Sequence, residues 1–247
     1  MKASPEAQLR LLELADLDTE LARLDHRRQT LPETAELEAL TARLTQVRDT
    51  ITLADTELSD LDREQARAER DVDQVRVRID RDRERLDAGK VSNARELESL
   101  QSEVASLRRR QSDLEEIVLE IMERREAAAA RRDAAAAERA SLEEQRAAVA
   151  ARRDAALAEI EEEAAKAGSA RTSVAAGVPA DLLALYDKLR AQLRGVGAAM
   201  LRRGRCEGCH VALSTGDLNA IRAAAPDEVV RCEECRRILV RTGESGL

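Results

Sequence analysis

Residues 37–86 read LEALTARLTQVRDTITLADTELSDLDREQARAERDVDQVRVRIDRDRERL, and their apolar spacing is the strongest structural signal in the chain. Alternate steps of three and four residues from Leu37 meet apolar side chains at thirteen of fifteen positions, and only Gln65 and Asp82 interrupt the series. Seven heptads in one register are typical of helices that wind around each other in a left-handed supercoil. The heptad series is Leu37, Leu40, Leu44, Val47, Ile51, Ala54, Leu58, Leu61, Gln65, Ala68, Val72, Val75, Ile79, Asp82 and Leu86.

The flanking segments extend this arm into a hairpin. An earlier series from Leu14 to Leu31 stops at Pro32, and the restricted backbone before a proline predicts a kink there. After residue 86, Gly89 can end one helix and Ser92 or Asn93 can cap the next, so we predict a tip near 87–94. Two helices of matching period joined by a short loop form an antiparallel hairpin. The return series is Leu97, Leu100, Val104, Leu107, Leu114, Val118 and Ile121.

Composition excludes several classes of protein. The 247 residues carry a net charge of −8, 36% are charged, and Tyr186 is the only aromatic residue. Chains rich in Ala, Leu, Arg and Glu form long helices, whereas a wide enzyme core normally draws on aromatic side chains. The sequence contains no Gly-rich phosphate loop and no Ser/His/Asp set, so we expect no enzyme and no catalytic residue. No apolar run is long enough for a membrane span or a signal core, which predicts a cytoplasmic protein without a membrane partner.

The return arm carries a stripe of arginines at heptad spacing. One interpretation is a basic track for phosphates. The other is that these side chains flank the helical seam and pair with acidic residues of the outgoing arm. Interleaved acidic residues favour the second interpretation, and the sequence leaves both open. The stripe consists of Arg125, Arg132, Arg139, Arg146 and Arg153.

The composition changes after Lys166. We assign residues 1–166 to the hairpin, 167–197 to a linker with a short helix, and 198–247 to a separate small domain. In that domain we expect short strands at 198–201, 229–230 and 238–240. Ser214 and Asp217 have the spacing of a capping box, which predicts a short helix after Ser214.

All four cysteines lie in the small domain, in two C-x2-C pairs separated by 22 residues. Two such turns can supply the four thiolates that a tetrahedral zinc site uses, and four sulfurs leave no open position for catalysis. Disulfides and a redox pair are less favoured, because no secretion signal and no βαβ context accompany the cysteines. We predict one structural Zn²⁺ that is required for folding. The predicted ligands are Cys206, Cys209, Cys232 and Cys235. We expect His210 either to be solvated or to contact a ligand without binding the metal, and His26 to lie on the surface of the arm.

These features together resemble the bacterial C4-type zinc-ribbon coiled-coil family. The matching segments are VSNARELESLQSEV at 91–104, LLALY at 182–186, CEGCH at 206–210 and CEECRRIL at 232–239. The chain departs from the family pattern at Arg236, where glycine is usual, and this could strain the turn. The resemblance implies a mostly α fold, with a long antiparallel coiled-coil hairpin and a small C-terminal β-rich zinc ribbon. Members of this family are commonly labelled nucleic-acid-binding proteins, so the resemblance also implies that function. It further implies partners such as an alternative sigma factor or flagellar and secretion components.

The residues themselves favour a protein partner. Residues 200–247 hold eight arginines against seven acidic residues, and a zinc tetrathiolate would shift the net charge to about −1. They also contain no aromatic side chain on which bases could stack. We expect a non-enzymatic adaptor, either monomer or homodimer, with contact to RNA or DNA backbone as the alternative function. Candidate contact residues are Arg202, Arg203, Arg205, Arg236 and Arg237 in the ribbon and Asn93 and Arg95 at the hairpin tip.

Overall fold

The structure is a computed structural model and describes residues 1–89, 91, 93–193 and 195–247. Its helices and strands follow the predicted mostly α pattern with a small β-rich C-terminal region. The helices are α1 (Pro5–Gln29), α2 (Pro32–Asp87), α3 (Ala94–Ala176), α4 (Ala180–Leu193) and α5 (Thr215–Ala223). The strands are β1 (Ala198–Arg202), β2 (Arg205–Cys206), β3 (Val230–Arg231) and β4 (Ile238–Val240).

The chain divides into two compact units. The hairpin unit is Ala35–Ala150, and the ribbon unit combines Met1–Thr34 with Ala151–Leu247. Among the described residues, no helix has both the length and the apolarity that a membrane span requires.

In the hairpin unit, the predicted heptad series forms the seam of α2. Between residues 37 and 87, every buried or half-buried side chain belongs to that series. Leu61 and Ala68 pack against Ile121 and Ala128 of α3 in one apolar cluster. The antiparallel coiled-coil prediction is therefore confirmed. The return series is wrong at Leu97, whose side chain is 38% exposed in the first turn of α3 and does not belong to the buried seam.

The arginine stripe supports the seam-flanking interpretation. In the hairpin unit, Arg125 pairs with Asp62, and the Arg132 Nε lies 3.2 Å from Asp55 Oδ1 across the seam. Arg139 instead approaches Glu143 on its own helix, at 3.8 Å. Some arginines of the stripe therefore form ion pairs with acidic residues of the outgoing arm, and the stripe is not a continuous unpaired track.

The breaks between helices are close to the predicted positions. α1 ends at Gln29 and α2 begins at Pro32, which confirms the kink. At the tip, Gly89 adopts a left-handed φ of +60° after α2 ends. The Asn93 side chain accepts a 3.0 Å hydrogen bond from the Arg95 amide, so Asn93 caps α3. The alternative cap, Ser92, lies outside the described residues.

The prediction that a linker begins at residue 167 is wrong, because α3 continues to Ala176. Local composition is unfavourable there, with Gly168 and several hydroxyl residues, but tertiary contacts outweigh these modest propensities. Ala167 is buried, and Val174 packs against the apolar core of the ribbon unit. The helix ends where Gly177 and Pro179 precede α4.

The sheet of the ribbon unit has the order β2-β1-β4-β3, with β1 and β4 parallel and the other pairs antiparallel. One face, which includes Ala198 and Ile238, packs on α1 and α4 through residues such as Leu14 and Tyr186. Residues of the other face pack around two of the cysteines and Ile221 of α5. The predicted boundary at 198 therefore does not separate two hydrophobic cores, because the ribbon shares one with α1 and α4.

Candidate metal centre

Each cysteine pair lies in a tight turn that follows a short strand. In the first turn, the His210 amide donates a 2.7 Å hydrogen bond to the Cys206 carbonyl. In the second turn, the Arg236 amide donates a 2.9 Å hydrogen bond to the Cys232 carbonyl. The two turns therefore share one backbone pattern, which places both sulfurs of each pair on the same side of the turn.

Both turns require a left-handed residue directly after the second cysteine. His210 has a φ of +58° and Arg236 has a φ of +66°. This conformation costs a residue with a Cβ about 1–2 kcal/mol, whereas glycine adopts it freely. The predicted strain at Arg236 is thus present, and the first turn carries the same strain at His210.

The four sulfurs fit one zinc ion. The Sγ atoms of Cys206 and Cys235 are 3.8 Å apart, those of Cys209 and Cys232 are 3.9 Å apart, and all four lie within 4.8 Å of one another. A tetrahedral site with Zn–S bonds of ~2.3 Å has sulfurs about 3.8 Å apart. The four cysteines therefore form a site for one structural Zn²⁺, as predicted. His210 is solvent-exposed and does not belong to this group.

The protein environment treats the thiols differently. Burial raises the pKa of Cys206 and of Cys232. Burial acts in the same direction on Cys235, but hydrogen bonds from the backbone and side chain of Arg237, together with those from neighbouring thiols, lower its pKa to about 7. Since zinc binds thiolates, loading the site displaces protons from the more buried sulfurs.

Arg237 connects the two turns from inside the domain. Its Nε donates a 3.0 Å hydrogen bond to the Val196 carbonyl, and the side chain is half-buried. It crosses the first turn so closely that a Cβ on Gly208 would lie 2.6 Å from Arg237 Cδ and 2.9 Å from the Ala199 Cβ. The prediction of Arg237 as a surface contact does not fit this position. The Arg237 side chain instead packs against Gly208 of the first turn and donates a hydrogen bond to Cys235 of the second.

The other predicted ribbon contacts fall into two groups. Arg202 is paired with Glu244 at 2.8 Å, and Arg236 approaches Glu233 at 3.4 Å. Arg203 and Arg205 are exposed and make no ion pair with any described residue. They flank Gly204 at the tight turn between β1 and β2, where Arg202 pairs with Arg205 across the strands.

At the tip of the hairpin unit, Asn93 is occupied as a helix cap, as described above. The Arg95 side chain is exposed and has no ion pair among the described residues. Its tip position matches the prediction, although Lys90 and Ser92 of the same loop lie outside the described residues.

A buried ionic cluster in the ribbon unit was not predicted from the sequence. Asp18 is 3% exposed and accepts hydrogen bonds from the Tyr186 hydroxyl at 2.7 Å and from Arg171 Nε at 2.7 Å. Arg190 Nε lies 3.1 Å from the same carboxylate. Burial, reinforced by the hydrogen bond to Asp18, raises the pKa of Tyr186. The cluster ties α1, α3 and α4 together. Its signal in the sequence is Asp18, seven residues after Leu11 on an otherwise apolar helix face.

Known proteins share both parts of this architecture. Residues 14–194 match the CT398-like coiled coil hairpin domain, and residues 205–239 match the C4-type zinc ribbon domain. The uncharacterized protein Rv2229c of Mycobacterium tuberculosis H37Rv is 40% identical over 241 residues, which cover 98% of each chain.

Solved structures agree with these matches. A structure from Mycobacterium smegmatis superposes with a TM-score of 0.85 at 38% identity and covers 98% of this chain and 100% of that chain. The structure of CT398 from Chlamydia trachomatis has a TM-score of 0.71 at 22% identity, with 96% and 98% coverage, and shows the shared fold alone.

Proposed function

The chain belongs to the family of CT398-like coiled-coil hairpin proteins with a C4-type zinc ribbon, and we propose that it is a non-enzymatic adaptor that binds an acidic surface of a partner protein through this ribbon. Four sulfurs fill the coordination shell of the zinc ion, so the metal has no open position for a substrate. Its contribution is to hold the ribbon in shape. Binding then depends on what the ribbon presents to solvent.

The observation that carries the proposal concerns Arg203 and Arg205. Neither arginine forms an ion pair with a described residue, and both lie on a turn that is fixed at both ends. Cys206, a zinc ligand, directly follows Arg205 in β2. On the other side, the Arg203 amide donates a 2.8 Å hydrogen bond to the Glu244 carbonyl. A turn held in this way fixes the backbone that carries the two guanidinium groups, so binding has to order only their side chains. Pre-organised arginines suit bidentate contacts with carboxylates or phosphates.

A protein partner is favoured over nucleic acid by the charges around this turn. Arg202 and Arg236 are engaged with Glu244 and Glu233, so they add little to a positive field. Nucleic-acid binding relies on several simultaneous phosphate contacts or on aromatic stacking. The alternative function, contact with RNA or DNA backbone, is supported by the same two unpaired arginines.

The test is capture from native lysate with zinc-loaded protein, with and without nuclease treatment. The double variant Arg203→Glu/Arg205→Glu is compared with Arg222→Glu, which reverses an exposed charge on α5 of the same unit. We expect nuclease-resistant partners with the wild type and with Arg222→Glu, and at least a tenfold loss with the double variant. Zinc content and helicity should be equal in all three proteins.

Two results would contradict the proposal. Equal capture by the double variant would remove the arginine turn as the contact surface. Recovery of nucleic acid, with every protein partner lost after nuclease treatment, would make nucleic-acid binding the function.

A further inference from the structure

Ion pairs join α2 to α3 along the hairpin unit, but one interval of the two helices has no such pair among the described residues. Beyond one end of this interval, Arg78 pairs with Glu103 across the helices. Beyond the other end lie several cross-helix pairs, which are Arg124 with Glu64, Arg125 with Asp62, Arg131 with Glu57 and Arg132 with Asp55. Between residues 65–77 of α2 and 104–123 of α3, the described residues form no such pair. The charged side chains of this interval are therefore available for contact with another molecule.

The same interval contains an apolar groove between the two helices. Its apolar lining consists of Val72, Val118 and Leu119. Leu119 is 60% exposed, although an apolar side chain on a coiled coil usually lies in the seam. Met122 lies one turn further along the same helix face and is 38% exposed. The groove therefore exposes a short apolar strip to solvent, and the side chains of the hairpin do not cover it.

The rim of the groove is acidic and uncompensated. Glu69, Asp73 and Glu115 line it, and none of them makes an ion pair with a described residue. Glu69 and Glu115 each accept only a 2.8 Å hydrogen bond from the glutamine four residues earlier, Gln65 and Gln111.

The wider α3 side of the groove has the same sign. Over the interval 104–123, α3 holds five acidic side chains against three arginines at 108–110, and all five acidic ones lie within 111–123, which contain no basic side chain. Residues 65–77 of α2 are balanced, with three acidic side chains against three arginines. The groove as a whole is therefore negative. The acidic side chains of α3 are Asp113, Glu115, Glu116, Glu120 and Glu123.

We propose that this groove binds a basic amphipathic helix of a partner protein, which lies along α2 and α3 as a third helix. Apolar residues spaced by three and four would cover Val72 and Leu119, and flanking lysines or arginines would face the acidic rim. A second copy of the chain fits poorly, because a two-fold interface would place two acidic rims against each other. This surface is separate from the arginine turn of the ribbon and does not depend on it.

The probe is a designed helical peptide with leucines at heptad a and d positions, lysines at the flanking positions and one tryptophan. Since the chain contains no tryptophan, the fluorescence signal comes from the peptide alone. A matched peptide with glutamate in place of lysine tests the charge. The protein variants are Leu119→Ser and the triple variant Glu69→Gln/Asp73→Asn/Glu115→Gln. The control is Leu53→Ser, which removes a 72% exposed leucine of α2 that does not line the groove.

We expect the lysine peptide to bind the full-length protein. Each groove variant should weaken binding at least tenfold, Leu53→Ser less than twofold, and the glutamate peptide should not bind. The proposal is overturned if the lysine peptide fails to bind, if both peptides bind equally, or if Leu53→Ser has the same effect as Leu119→Ser. It is also overturned if sedimentation shows self-association that Leu119→Ser abolishes, because the occupant is then a second copy. None of these outcomes affects the ribbon test with Arg203 and Arg205.

Discussion

The hairpin unit and the ribbon unit are stabilised by different kinds of interaction. The hairpin unit repeats one local pattern, in which leucines and alanines fill a seam and exposed ion pairs flank it. The ribbon unit instead depends on contacts between distant parts of the chain: a metal site, a sheet that packs on α1 and α4, and a buried ionic cluster around Asp18. The comparison indicates that a single change in the ribbon unit removes a unique interaction, whereas the hairpin unit can lose one contact among many similar ones.

Removing the metal site should produce the largest difference between the two units. In the variant Cys206→Ser/Cys232→Ser, we expect no bound zinc and unfolding of the ribbon, because structural zinc contributes on the order of 10 kcal/mol to small domains. The helical signal should stay near that of the wild type, since most of it comes from α2 and α3. Metal analysis and circular dichroism check this prediction. A cooperative loss of all helicity would show that the two units do not differ in this way.

A core substitution in the hairpin unit should have a smaller effect. Leu61 is 1% exposed in the seam, and Leu61→Ala should lower the free energy of unfolding of that unit by about 3 kcal/mol. The control Leu53→Ala alters an exposed leucine of the same helix and should change it by less than about 0.5 kcal/mol. Chemical denaturation followed by circular dichroism measures both. Equal effects of the two variants would contradict the observed seam.

The ionic cluster should matter only to the ribbon unit. Asp18→Asn keeps a partner for the Tyr186 hydroxyl but removes the charge that faces Arg171 and Arg190. We expect the free energy of unfolding of the ribbon unit to fall by about 2–3 kcal/mol. This is less than for a fully buried ion pair, because both arginines are partly exposed. Asp187→Asn, which alters the exposed end of the same cluster, should cost less than about 1 kcal/mol. Hydrogen exchange locates the destabilised segments. A loss of protection in the hairpin unit would argue against this assignment.

The smallest expected effect is a gain. Arg236→Gly places glycine at a left-handed position and should stabilise the zinc-loaded ribbon unit by about 1 kcal/mol. Arg222→Gly, in the last turn of α5, should instead destabilise it by up to about 1 kcal/mol. Thermal unfolding of the zinc-loaded proteins distinguishes the two signs. A destabilised Arg236→Gly protein would show that the contact between Arg236 and Glu233 outweighs the backbone strain.

The same difference between the units explains what the sequence could predict. The seam of α2 was readable residue by residue, because helical periodicity and burial have the same cause there. The zinc ligands were readable because their spacing is local. The course of α3 after residue 166 was not, since Gly168 and its neighbours are poor helix formers and only distant contacts keep them helical. The inward position of Arg237 and the partners of Asp18 likewise depend on segments that are far apart in the sequence.

Hydrogen exchange of the full-length protein, with zinc bound and after chelation, tests whether one zinc ion holds the ribbon, and with it the Arg203–Arg205 turn, while the hairpin unit is stable without the metal. We predict that chelation removes protection from residues 196–240 and weakens it in α4 and the first half of α1, which share the sheet's core. Residues 35–150 should exchange as before. Unchanged exchange in the ribbon, or a comparable loss of protection throughout residues 35–150, would contradict the account.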